Sequence, residues 1–171
     1  MSFLPWFLPG VALTLVVATT LALPFARALP ARTAVAWLLL AALGTIAAAT
    51  LTPSRLALDY GTLSPLSCDL SRVTLAPLRE LRRIDDTSLN ILLFIPLGTA
   101  VGLLPRSRAR AAILVGTVAL PPAIEATQLL VPALDRACQS ADVVDNLTGL
   151  ALGLMVGSVA ALVGRRVRRE R

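Results

Sequence analysis

The sequence contains no lysine and no histidine, so all sixteen of its basic residues are arginine. A Ser-His or Cys-His nucleophile, a Ser-Lys dyad, a histidine phosphatase and an HExxH zinc site each need one of the missing side chains, and all are excluded. Charge of either sign is scarce as well, at 15% of 171 residues, where a soluble domain carries about one quarter. Aromatic residues make up only 4%. What remains is apolar: 56% of the chain is hydrophobic, and the mean hydropathy is +0.78. Several runs approach the ~20 apolar residues a helix needs to cross a bilayer, and none shows the period-2 alternation of a membrane barrel. The expected fold is all-α, a polytopic membrane helix bundle.

Five spans are expected, at about 4–23, 34–51, 88–104, 111–131 and 141–163, with Pro24, Pro30, Pro105 and Pro132 at the breaks. The first lacks a basic leader and is long, so it is read as a span despite the signal-like Ala26-Arg27-Ala28. Arginine placement then sets the orientation. Arg27 and Arg32, then Arg106, Arg108 and Arg110, then the tail "RRVRRER" mark three cytoplasmic segments. The 52–87 loop balances five arginines (55, 72, 79, 82, 83) with five acids (59, 69, 80, 85, 86), and 132–140 sets Asp135 against Arg136, so both belong outside. The topology is N-out, C-in. The expected parts are two N-terminal helices and an outer loop in 1–85, a three-helix core in 86–163 and a basic cytoplasmic tail in 164–171. Because the arginines follow the spans, a pI near 11 reads as topology and lipid contact, and no nucleic-acid partner is expected. The two cysteines, Cys68 and Cys138, both fall outside, where oxidising conditions permit a disulfide; the sequence alone leaves open whether they meet.

The polar residues inside the spans are the informative ones. At 100° per residue, Asp142, Asp145, Asn146, Gly149, Gly153 and Gly157 fall within an arc of about 120°, polar at the outer end and glycine-lined below. Thr117, Pro121, Glu125 and Gln128 share an arc of about 80° on the preceding helix, with Glu125 roughly 9 Å below its outer end and a kink expected at Pro121-Pro122. The third span opens with Asp86 and Asn90 above Gly98 and Gly102. Asp86 and Asp142 suit N-terminal caps. Asn90, Glu125, Asp145 and Asn146 lie deeper, where polar groups facing lipid are costly, so they should meet one another or a water-filled pocket. Glu125 is either protonated or paired with Arg136, clamping helices, or it contacts a substrate or ion. Gln128 and Asn146 suit interhelical hydrogen bonds, Arg136 is either an ordinary outer charge or the partner of the acids, and the glycines suit close helix packing.

"NILLFIPLG" (Asn90 to Gly98), "IEATQ" (Ile124 to Gln128) and "RACQSADVVDNLTG" (Arg136 to Gly149) resemble the three motifs of the VanZ-like family of bacterial membrane proteins, over about residues 86–157. Asn90, Pro96, Gly98, Glu125, Gln128, Arg136, Asp142, Asn146 and Gly149 match its pattern. Two positions depart from it: Gln139 stands where relatives often carry an acid, and Asp145 where an apolar residue is usual. The resemblance implies either low-level resistance to teicoplanin-type glycopeptides or a broader cell-envelope function, and it implies no established reaction. The residues themselves point to an outer polar pocket of Glu125, Asp142, Asp145 and Asn146, with Gln128, Arg136 and Asn90 around it, suited either to a cation or to the polar head of a lipid-linked component or glycopeptide. The expected partners are membrane lipids and either a lipid-linked cell-wall component or a glycopeptide antibiotic, with no cofactor and no dedicated metal. A small transporter, and an assembly factor using the glycine faces, are the alternatives. A hydrolase holding a divalent cation on Glu125, Asp142 and Asp145 is a third, without a nucleophile motif to accompany it.

Overall fold

Five helices are long and apolar enough to cross a membrane, and they make this a multi-pass membrane protein. The computed structural model describes residues 5–61, 67–77 and 85–169. Leu4 of the first expected span, Arg79, Glu80, Arg82 and Arg83 of the long loop, and Glu170 and Arg171 of the tail lie outside the described residues.

Helices α1 (Phe7–Ala28) and α2 (Thr33–Thr50) form an antiparallel hairpin. After α2 come a short helix α3 (Arg55–Tyr60) and a two-residue strand β1 (Cys68–Asp69). Helix α4 (Asp86–Leu103) then runs back toward the arginine-rich end, and α5 (Arg108–Leu130) returns. A 3-10 turn (Pro132–Leu134) and a strand β2 (Cys138–Gln139) lead into α6 (Ser140–Arg169). β1 and β2 pair in parallel, Cys68 opposite Cys138 and Asp69 opposite Gln139. α3 and this pairing were not expected from the sequence.

Three boundaries differ from expectation, each for a local reason. Pro24 does not end α1, which continues to Ala28, because proline removes only its own N–H and the following residues keep theirs. Pro121 and Pro122 lie within one continuous α5, as the 111–131 span required. The arginines expected to form a separate tail extend α6, whose 30 residues reach about 45 Å, well beyond the hydrocarbon thickness. The cap of α4 is Asp85, not Asp86. Its carboxylate accepts from the Ser88 N–H at 3.0 Å while the Ser88 hydroxyl accepts from the Asp85 N–H at 3.1 Å, a reciprocal capping box. Asp142 is already the third residue of α6.

The core reaches across residue 85. Leu39, Ala42 and Ile46 of α2 are buried together with Phe94, Leu97 and Val101 of α4, Ile124 of α5 and Leu150 of α6. α2 therefore belongs with the last three long helices, and α1 packs outside against α2. Within the core, α4 and α6 run in the same direction with their backbones in contact. A Cβ at Gly149, Gly153 or Gly157 would overlap the carbonyl oxygens of Ile91, Ile95 and Thr99 respectively, and one at Gly98 would overlap that of Leu150. Only glycine permits this approach, which brings Cα–H groups against carbonyl oxygens along the whole seam.

Candidate functional site

The parallel seam brings the N-termini of α4 and α6 side by side at the end opposite the arginine-rich one, and α5 delivers Glu125 to the same level. Glu125 is buried, at 5% exposure, and its Oε2 accepts the backbone N–H of Gln139 at 2.8 Å. It lies close enough to Asp142 for the two carboxyl groups to act on one another. Asp142 in turn has Asn90, Asp86 and Asp145 as polar and charged neighbours. One turn further along α6, Asp145 and Asn146 are each only 1% exposed. The Oδ1 atom of Asn146 has no partner among the described residues. An unsatisfied buried acceptor is uncommon, because its lost hydration is not returned by any hydrogen bond.

The ionic partner of this cluster is Arg72, from the segment after β1. Its guanidinium forms a two-pronged ion pair with the Asp145 carboxylate, Nη1 donating to Oδ1 at 3.1 Å and Nη2 to Oδ2. The bidentate geometry is the one a planar guanidinium and a carboxylate favour, and it pins the segment over α6. Two further ties hold it there. The Cys68–Cys138 disulfide closes beside the pair, with the Cα atoms 4.5 Å apart, and the Ser140 hydroxyl donates to the Arg72 carbonyl at 2.8 Å.

Arg136 does not partner the acids. Its Nη2 donates to the carbonyls of Ala49 at 2.9 Å and Thr52 at 3.4 Å, and Gln128 Nε2 donates to that of Thr50 at 3.0 Å. The last carbonyls of α2 have no intrahelical donors, and a cation suits that negative helix end, so both side chains are spent on α2. Burial pulls the Arg136 guanidinium below its ordinary pKa, with no carboxylate to offset the desolvation.

Sequence reasoning missed Arg72. The signal was present but conditional: Asp145 is a second acid in the first turns of α6, and Arg72 lies four residues after Cys68 while Asp145 lies seven after Cys138. Only the disulfide makes those two offsets neighbours. Among the described residues, no group of three Cys, Asp or Glu side chains converges well enough to hold a metal ion. The glycine faces are occupied: Gly98, Gly102, Gly149, Gly153 and Gly157 pack within the chain, which leaves an assembly factor no free glycine seam on α4 or α6.

Against known families, the model described as VanZ/LLP1 matches residues 33–161, well over half of the chain. The chain belongs to this family. The match begins at the first residue of α2 and takes in every helix of the core, in agreement with the hold that Gln128 and Arg136 keep on α2. α1 stands outside it. No curated protein and no solved structure matches the chain.

Proposed function

We propose that this VanZ-like protein sits in the bacterial cytoplasmic membrane with the acid-bearing end outward, and that this end binds the polar head of an envelope ligand. The ligand is a lipid-linked cell-wall component or a teicoplanin-type glycopeptide, and the consequence is reduced sensitivity to that antibiotic. The observation that carries the reading is the set of polar groups held at one level by α4, α5 and α6: Asn90, Glu125, Asp142, Asp145 and Asn146. Buried polar side chains within a span are expensive, and the unpartnered Asn146 Oδ1 suits the hydroxyl and amide donors of a glycopeptide or sugar.

A transport path fits less well. Below the polar level, Phe94, Leu97 and Val101 are fully buried and close the bundle with apolar side chains. A ligand held at the outer end is the simpler use of such a plugged bundle.

The test is growth inhibition by teicoplanin and by vancomycin in a susceptible Gram-positive host expressing wild type, Glu125→Ala or Asp142→Ala. Wild type should raise the teicoplanin concentration needed while both variants return to the empty-vector value. Equal sensitivity of all four strains would sink the resistance role.

A further inference from the structure

A groove at the opposite, arginine-rich end belongs to none of this machinery. Gly102 of α4, Arg106 of the following connection, Arg110 of α5, and Ser158, Leu162 and Arg165 of α6 line it. Arg110 is half-buried and donates to the Leu104 carbonyl and the Ser158 hydroxyl, each at 3.3 Å. A guanidinium carries five N–H donors, so three of them remain for something else. The side chains of Arg106 and Arg165 have no hydrogen bond or ion pair among the described residues. Every Asp and Glu among those residues stands toward the other end, within 55–86 and 125–145, so no carboxylate among the described residues neutralises the three guanidiniums.

Topology alone asks for arginines somewhere on this side of the membrane. It does not ask that three of them, from a connection and two helices, line one groove together with a serine hydroxyl. Convergent guanidiniums and a hydroxyl are the donors a phosphate takes. The groove also opens beside the bare apolar face of α6, where Leu152, Met155, Val159 and Leu162 are 41–59% exposed along one side of the helix. A free phosphate has no use for that face, whereas acyl chains lie along it.

We propose that this groove binds the phosphate group of an anionic membrane lipid, its acyl chains laid against α6. The proposal is independent of the ligand assigned to the acid-bearing end. Its test is lipid binding by the purified full-length protein, delipidated in a neutral detergent and followed by native mass spectrometry with phosphatidylglycerol, phosphatidylcholine or inorganic phosphate added. Wild type should retain phosphatidylglycerol in preference to phosphatidylcholine. R106Q/R110Q should weaken that binding on the order of tenfold or more. R108Q/R166Q, which removes the same charge outside the groove, should stay near wild type. Equal weakening in the two double variants would overturn the site in favour of diffuse attraction. Equal retention of both lipids would overturn the anionic requirement, and displacement of the lipid by an equimolar amount of inorganic phosphate would overturn the lipid assignment. Should circular dichroism show R106Q/R110Q unfolded, R165Q against R166Q poses the same question with one charge each.

Discussion

Two helix seams in this chain rest on small residues four apart, and they are built differently. On α1 the series is Gly10, Thr14, Ala18, Ala22 and Ala26; a Cβ at Gly10 would meet the Ala48 side chain, and one at Gly44 of α2 the Thr14 side chain. Between α4 and α6 the glycines meet carbonyl oxygens. The first seam joins antiparallel neighbours across a short connection. The second joins two helices running the same way, with all of α5 between them in sequence, so their positive N-terminal ends lie together. Asp85, Asp86 and Asp142 in and around those first turns offset that shared positive end. A disulfide and a buried ion pair tie the loop over it. The acid cluster thus supports the fold and builds the candidate site at once, whereas the α1 seam carries no buried charge.

Breaking the comparison at its most loaded point should cost most. Arg72→Met leaves the Asp145 carboxyl buried without its cation, and the chain should lose about 3–5 kcal/mol of stability in detergent unfolding. Arg72→Met with Asp145→Leu should recover most of that loss. Recovery of none of it would show that Arg72 acts through something other than this pair. Removing the staple is expected to come next. Cys68→Ser/Cys138→Ser should cost about 2–4 kcal/mol, read in the same unfolding assay without reductant.

The seams themselves give the smallest and sharpest contrast. Gly153→Ala forces a methyl group onto backbone that cannot turn aside, at about 1–3 kcal/mol. Gly10→Ala meets only the methyl group of Ala48, in a hairpin with lipid on its far side, and should cost less. A Gly10→Ala loss equal to or larger than that of Gly153→Ala would erase the distinction between the two seams.

The spans were legible because an apolar run of membrane length has few other readings, and the polar arc of α6 because its residues repeat at the helical period. The alanine series of α1 was not, since alanine gives no contrast inside a span that is apolar all round. The role of Arg136 was hidden for another reason: its partners are backbone carbonyls of α2, which leave no mark in a sequence. Arg72 was hidden because its contact spans 73 positions and depends on a disulfide that sidedness allows but cannot demonstrate. The packing of α2 with the last three long helices was hidden for the same cause as the role of Arg136. Leu39, Ala42 and Ile46 look like any other apolar residues until their neighbours in α4 are known.

The central claim is that the polar end faces outward and is closed there by Cys68–Cys138. Labelling of Cys68 in intact cells, with a maleimide that does not cross the membrane and after a reductant that does not cross it either, tests both parts at once. The account predicts no label before reduction and modified Cys68 after it. Label before reduction would contradict the bridge, and label only after the membrane is permeabilised would contradict the orientation.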